Sequence, residues 1–378
     1  MAGLSGAALP ATSQILAGCR KGPKSVVVLQ HVLPDTLQFL AHLQESGWKI
    51  LQLIAIPYSA RPENIEAAKR LGINVLAPQV ITEDLLTSVL MNHASGSVKF
   101  AVHEVGGYFA PLMSNREVTS QILGVVEETK QGLWRYNWAG GSLQVPVVQI
   151  ADNYLKRIEG EFVGRAIAEL VMTDCMATGL SAPVIGIVGL GDIGAGVARS
   201  FLRNQCDVRG FDTQPARMLA AAAQGVKCMN LTQLLGQCDV IVGATGTGAF
   251  EPESLGKLQD RALLVSASSR RIEFPVEELS NFKVVGIQGL VKTYQVRGKR
   301  VRLMYDGAPA NFSGKSLPLA FADLMFSQIA VGLNSLLTHP GESGITGLGP
   351  EDLAFIADSW WKFHGGTSGD EENWTFIA

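Results

Sequence analysis

The chain has 378 residues, 31 Lys+Arg against 34 Asp+Glu, a formal net charge of -3, 17% charged and 47% hydrophobic residues. At roughly 100–200 residues per domain, that length supports two or three domains, and so apolar a composition excludes a disordered chain. A near-neutral balance without Lys/Arg clusters leaves no electrostatic footprint for nucleic acid or for an anionic membrane.

Residues 25–30 (SVVVLQ) read as a short strand, 36–46 as a helix and 49–56 (KILQLIAI) as a second strand. A helix over 62–71, a strand over 74–76 and a helix over 82–91 continue the alternation. Strands separated by helices at this spacing predict right-handed βαβ crossovers and a mostly parallel sheet. Trp134, Tyr136 and Trp138 alternate after Gly132, which predicts a half-buried strand or an interface stripe. A long helix is expected over 162–176, then strands over 184–188, 207–211, 226–229, 240–243 and 262–265, with helices over 195–204 and 218–223. The uncharged stretch 324–341 contains Ser327, Gln328, Asn334 and Ser335 and ends in His-Pro-Gly, so it reads as a core helix and its exit turn rather than a membrane span. The polar, acidic residues from 364 to 378 read as a loose tail. No secretory signal is expected, because residues 1–30 lack a basic segment leading into a compact apolar one. The cysteines Cys19, Cys175, Cys206, Cys228 and Cys238 are scattered and odd in number, which fits a reducing, cytoplasmic compartment.

The strongest local signal is Gly189-x-Gly191-x-x-Gly194. It follows an apolar strand, opens a helix, and precedes Asp212 at the end of the next strand. The loop of Gly189, Gly191, Asp192, Ile193 and Gly194 would let a pyrophosphate approach unpaired N–H groups at a helix N-terminus. Asp212 would accept hydrogen bonds from the adenosine ribose and repel a 2′-phosphate, which favours NAD over NADP. A second glycine turn, Gly243-Ala244-Thr245-Gly246, ends another strand and is expected to pass the cofactor on the same sheet edge. His103-Glu104 lacks a second histidine at helical spacing, so no metal site is indicated.

Several segments carry a wider likeness. Gly124-Val-Val-Glu127-Glu128-Thr129-Lys-Gln-Gly132 parallels a G-(I/V)-x-E-E-T-T-T-G motif. Val145-Pro146 through Asp152 and Lys156 parallels P-x-x-N-V-N-D-S-x-T-K, and Ala244-Thr245-Gly246 parallels T-T-G. Asp306-Gly307 followed by Asn311 parallels E-G-R-x-x-N. In this order and spacing, from about 31 to 328, the chain resembles the S-adenosylhomocysteine hydrolase family.

The resemblance implies an α/β fold in which a Rossmann-type NAD-binding domain, 154–316, is inserted in a discontinuous α/β substrate domain, 1–153 with 317–363. It implies that His31 handles a proton at the ribose 5′ end and that Glu128 and Thr129 hold ribose hydroxyls. Lys156 would help remove the 3′-hydroxyl proton, and Asp35, Glu128 and Lys156 would line the substrate. Thr129, Thr245, Gly246 and Asn311 would join the glycine loop and Asp212 around NAD. Four departures stand out: Val105 and Gly160 replace family aspartates, Leu33 and Asp35 replace the base-reading pair, and Ser266-Ala-Ser268-Ser269 replaces N-x-G-H. The expected activity is transient oxidation of a nucleoside or sugar-like polyol to a 3-keto intermediate, followed by elimination and hydrolysis or by epimerisation. S-adenosylhomocysteine itself would be a poor substrate. A dehydrogenase that releases NADH, or an NAD-bound pseudoenzyme that regulates a partner, is the alternative. A homo-oligomer, dimer or tetramer, is expected.

Overall fold

Residues 26–29 (VVVL) are an unbroken aliphatic run, the pattern of a strand covered on both faces, and they are completely buried at the centre of β1, Lys24–Gln30. The computed structural model describes residues 9–19, 24–94, 98–139, 143–268, 270–313, 317–338 and 341–365. After β1 the chain forms β2 (Trp48–Ala55), β3 (Val75–Leu76), β4 (Phe100–Glu104), β5 (Ile122–Glu127) and β6 (Pro146–Gln149). It then builds a second unit from β7 (Val184–Val188), β8 (Asp207–Phe211), β9 (Lys227–Cys228), β10 (Val240–Gly243) and β11 (Ala262–Ser266), completed by β12 (Lys283–Gln288), β13 (Val291–Val296) and β14 (Lys299–Met304). β15 (Gly344–Gly347) returns to the first unit. The two compact units are Met1–Lys156 with Leu319–Ala378, and Arg157–Pro318.

The first unit is a seven-stranded sheet in the order β15-β6-β5-β4-β1-β2-β3. Every pair in it is parallel. Its strand order reverses between β1 and β4, and in open α/β sheets ligands bind beyond the strand C-termini at such a reversal. His31 follows β1, Val105 follows β4 and Glu128 follows β5, so three segments marked in the sequence meet that edge.

The second unit has the order β12-β13-β14-β11-β10-β7-β8-β9. Its reversal falls between β7 and β10, where the two glycine turns begin. β12, β13 and β14, strands that the sequence reading did not mark, pair antiparallel at the edge of a sheet that is otherwise parallel.

The helix after the glycine loop starts at Asp192, three residues earlier than expected, and ends at Arg203. Residues 130–139 are a helix rather than a strand. Trp134 and Trp138 lie four apart and share a helix face, while Tyr136 points the other way into the core and is fully buried. Trp138 is 82% exposed.

Leu319–Thr338 is the one helix among the described residues long and apolar enough to cross a membrane, and 72% of its apolar window is buried inside the protein. Its buried Asp323 accepts from Ala11 N (2.9 Å) and Thr12 N (2.8 Å), satisfying the first turn of the Pro10–Gly18 helix. All five cysteines are free. The expected tail lies almost wholly outside the described residues, as does Ser269.

Candidate active site

In the second unit, Gly189 has φ +92°, a left-handed conformation that favours glycine, and a Cβ there would stand 2.6 Å from the Ala244 carbonyl oxygen. The two glycine turns are therefore pressed together, as their sequence positions suggested. A side chain on Gly194 would run into the Gly189 carbonyl. Gly191 differs, since a Cβ there would meet only the Arg217 guanidinium, at 3.8 Å. The loop thus leaves open space above its middle glycine, in front of the helix N-terminus that starts at Asp192 and Ile193, as a pyrophosphate requires.

Asp212 is buried, and its two oxygens accept from Leu190 N (2.7 Å) and Gln214 N (2.8 Å). Each carboxylate oxygen has two acceptor sites, so acceptor capacity remains for ribose hydroxyls. Arg217 approaches Asp212 at 3.5 Å. These residues fit NAD. Asp212→Ala removes charged hydrogen bonds worth about 1.5–3 kcal/mol, and we expect NAD affinity to fall roughly ten- to a hundredfold in a calorimetric titration.

Thr245 and Gly246 are held by a residue the sequence reading missed. Glu273, fully buried, accepts from Thr245 Oγ1 (2.8 Å) and Gly246 N (2.6 Å). The Thr245 hydroxyl also receives Thr247 N and Gly248 N, so it shapes the turn with its donor and both acceptor sites committed. Asn311 lies buried in the turn after β14.

In the first unit the candidate side chains gather around Glu128. Its Oε1 accepts from Gln30 Nε2 (3.0 Å), while the Gln30 amide oxygen takes the His31 N–H (2.7 Å), which fixes the amide's orientation. Its Oε2 lies 3.7 Å from His103 Nε2. Burial works to raise the Glu128 carboxyl, but the histidine beside it, the Lys156 charge and the Gln30 amide bring it down to about 2. Glu128 is therefore an ionised acceptor at every pH of interest.

His31 is pushed the other way, down to about 4, by burial against the opposing pull of Glu128. Its Nδ1 lies 2.7 Å from Ser59 Oγ, and Ser59 spends its own proton on the Ile56 carbonyl. Nδ1 is then the donor, and the neutral ring keeps its lone pair on Nε2. Asp35 lies in the first turn of the Pro34–Glu45 helix; burial pushes its carboxyl up, against the Thr36 N–H, with Glu128 adding to the rise.

Lys156 is half-buried in the short Tyr154–Arg157 helix. Its N–H bonds Asn153 Oδ1 (2.9 Å), and Asn153 is tied in turn to Ile150 O and Gln328. Thr129 gives its hydroxyl proton to Glu127 (2.6 Å) and receives Gly132 N, so it caps the helix over 130–139. The structure thus brings His31, Asp35 and Lys156 each into electrostatic reach of Glu128, while the Thr129 proton is committed elsewhere.

Beside this cluster lies a buried acid pair that the sequence did not reveal. Glu104 and Glu127 face each other across the β4–β5 register. Glu104 accepts from Tyr108 N (2.6 Å) and the Tyr136 hydroxyl, and Glu127 from Gly106 N, Gly107 N and Thr129 N. Burial and then the Glu104 charge push the Glu127 carboxyl up to about 8, against its hydrogen bonds. The folded protein therefore holds a proton that the unfolded chain loses near the ordinary value of 4.5. Stability falls as pH rises from there to about 8, by up to ~1.4 kcal/mol per pH unit, and is level above. Glu127→Gln is expected to flatten this slope in urea melts across that window, and an unchanged slope would remove Glu127 as its source.

Gly160, where the resemblance places an aspartate, serves packing. A Cβ on it would stand 2.5 Å from the Asp192 carbonyl, and a Cβ on Gly196 would strike the Gly160 carbonyl. The Glu159–Ala177 and Asp192–Arg203 helices cross backbone to backbone at these glycines and Gly164.

Residues 163–269 match the NAD-binding domain of the D-isomer-specific 2-hydroxyacid dehydrogenases. The second unit contains an NAD-binding domain, and NAD is its cofactor. An adenosylhomocysteinase of Sulfolobus acidocaldarius is 24% identical over 82% of this chain and 77% of its own length. An S-inosyl-L-homocysteine hydrolase of Methanothermobacter thermautotrophicus is 21% identical over 83% of this chain and 78% of its own. Among solved structures, a dipicolinate synthase of Bacillus halodurans is 12% identical, with a TM-score of 0.49, over 82% of this chain and 98% of its own. The chain is thus similar to the adenosylhomocysteinases over most of its length.

Proposed function

We propose that the protein is an NAD-dependent enzyme that transiently oxidises a ring hydroxyl of a nucleoside or sugar-like polyol to a 3-keto intermediate. Elimination and hydrolysis, or epimerisation, follows at the neighbouring carbon. The observation that carries this reading is the Glu128 carboxylate, held ionised between Gln30, His103 and Lys156 at the reversal of the first sheet. An ionised carboxylate with open acceptor sites binds vicinal hydroxyls, and Lys156 beside it is our candidate for the hydroxyl proton. Neutral His31 offers a lone pair to a proton on the leaving or entering group. Bound at the glycine turns and Asp212, NAD would supply the reversible hydride acceptance that such a ketone requires.

Val105 in place of an aspartate and the base-reading position occupied by Asp35 support a substrate other than S-adenosylhomocysteine. A dehydrogenase that releases NADH is the second reading, favoured by the dehydrogenase domain matched over 163–269.

Turnover in deuterium oxide separates the two. A ketone acidifies the neighbouring C–H, so transient oxidation predicts recovered substrate or product with deuterium at that carbon and no NADH in solution. Stoichiometric NADH with no deuterium incorporated would establish the simple dehydrogenase.

A further inference from the structure

The sequence reading assigns His103 no part in catalysis, yet its surroundings are unusual. The imidazole is fully buried in β4, a strand of which every residue is buried. It is flanked in register by Val28 of β1 and Val126 of β5. Phe39 meets it edge to face, and Phe326 stacks on Phe39. Neither ring nitrogen has a hydrogen-bond partner within ordinary distance. A buried imidazole left this way costs stability that a leucine in the same strand would not. The Glu128 carboxylate stands 3.7 Å from Nε2.

We propose that His103 is a positioning residue for Glu128: from beneath the strand edge it draws Oε2 while Gln30 holds Oε1, leaving the outer face of the carboxylate to the substrate. The 3.7 Å separation closes to a hydrogen bond when hydroxyls seat on the far side of Glu128. The groups that face this pair are Lys156, and then His31 after β1 and Asp35 of the Pro34–Glu45 helix, all within electrostatic reach of Glu128. The aromatic neighbours Phe39 and Phe326 carry no charge, so the His103 ring senses Glu128 first.

This inference rests on the reading of Glu128 as the hydroxyl-binding group, and the test separates the two. Two-bond nitrogen–proton spectra of the NAD-loaded protein, labelled at its six histidines, are recorded with pH for the wild type, Glu128→Gln and His103→Gln. The last variant assigns the His103 signals. We expect Glu128→Gln to shift the His103 nitrogen signals, the effect of losing a carboxylate 3.7 Å from the ring. Adenosine is then added as the probe diol. It should move the His103 signals in the wild type and not in Glu128→Gln, and His103→Leu should weaken adenosine binding about tenfold, with His103→Gln recovering part of the loss. His103 signals indifferent to Glu128→Gln across the titration would overturn the proposal. A response to Glu128→Gln with no response to any hydroxylated ligand would keep the pair and overturn the substrate reading instead.

Discussion

Lys156→Ala is expected to lower the rate of cofactor reduction by about two to four orders of magnitude, the usual contribution of a positioned acid–base group, while the protein stays folded and loaded with NAD. The fold should survive because the turn that carries Lys156 is tied through its own backbone N–H and through Asn153 to Ile150 and Gln328. NAD content should survive because the glycine turns, Asp212 and Glu273 belong to the other unit. Lys156→Arg supplies the control. An arginine keeps the positive charge facing Glu128 but cannot deprotonate, so it should be nearly as slow as the alanine variant. An active arginine variant would leave Lys156 only an electrostatic role.

The second large effect concerns position 160. Gly160→Asp, which restores the residue suggested by the family resemblance, is expected to destabilise the second unit by more than about 3 kcal/mol rather than to improve catalysis. Overfilling a close-packed site costs about 1–3 kcal/mol, and here the obstacle is backbone, the Asp192 carbonyl 2.5 Å from the new Cβ. A buried, unpaired carboxylate adds to this. A favourable interaction with the helix N-terminus returns about 0.3–1 kcal/mol, too little to compensate. The urea midpoint and the NAD retained after gel filtration should both drop. A variant with wild-type midpoint would show that the glycine crossing is looser than the structure gives.

The cofactor loop was legible because its signal is local: an apolar strand, three glycines at fixed spacing and a helix lie within about twenty residues, with Asp212 at the next strand end. The alternation of 25–91 was legible for the same reason. The Glu104–Glu127 pair and the placing of His103 under Glu128 were not, since both depend on the β4–β5 register, which joins residues more than twenty apart. Gly160 read as a lost catalytic group until its helix was seen to cross another at bare backbone. The helix over 130–139 was hidden because aromatic residues at 134, 136 and 138 satisfy a strand's alternation as well as a helix face that uses only two of them. β12 carries almost no burial pattern, since nearly every residue in it faces outward.

The most direct measurement adds S-adenosylhomocysteine, adenosine and a panel of other nucleosides and polyols to the purified, NAD-loaded protein and follows the absorbance of enzyme-bound NADH. A signal is expected with at least one nucleoside or polyol, weak with S-adenosylhomocysteine, that stays with the protein on desalting and is lost in Lys156→Ala. No signal across the panel, with NAD verified in the protein, would contradict it.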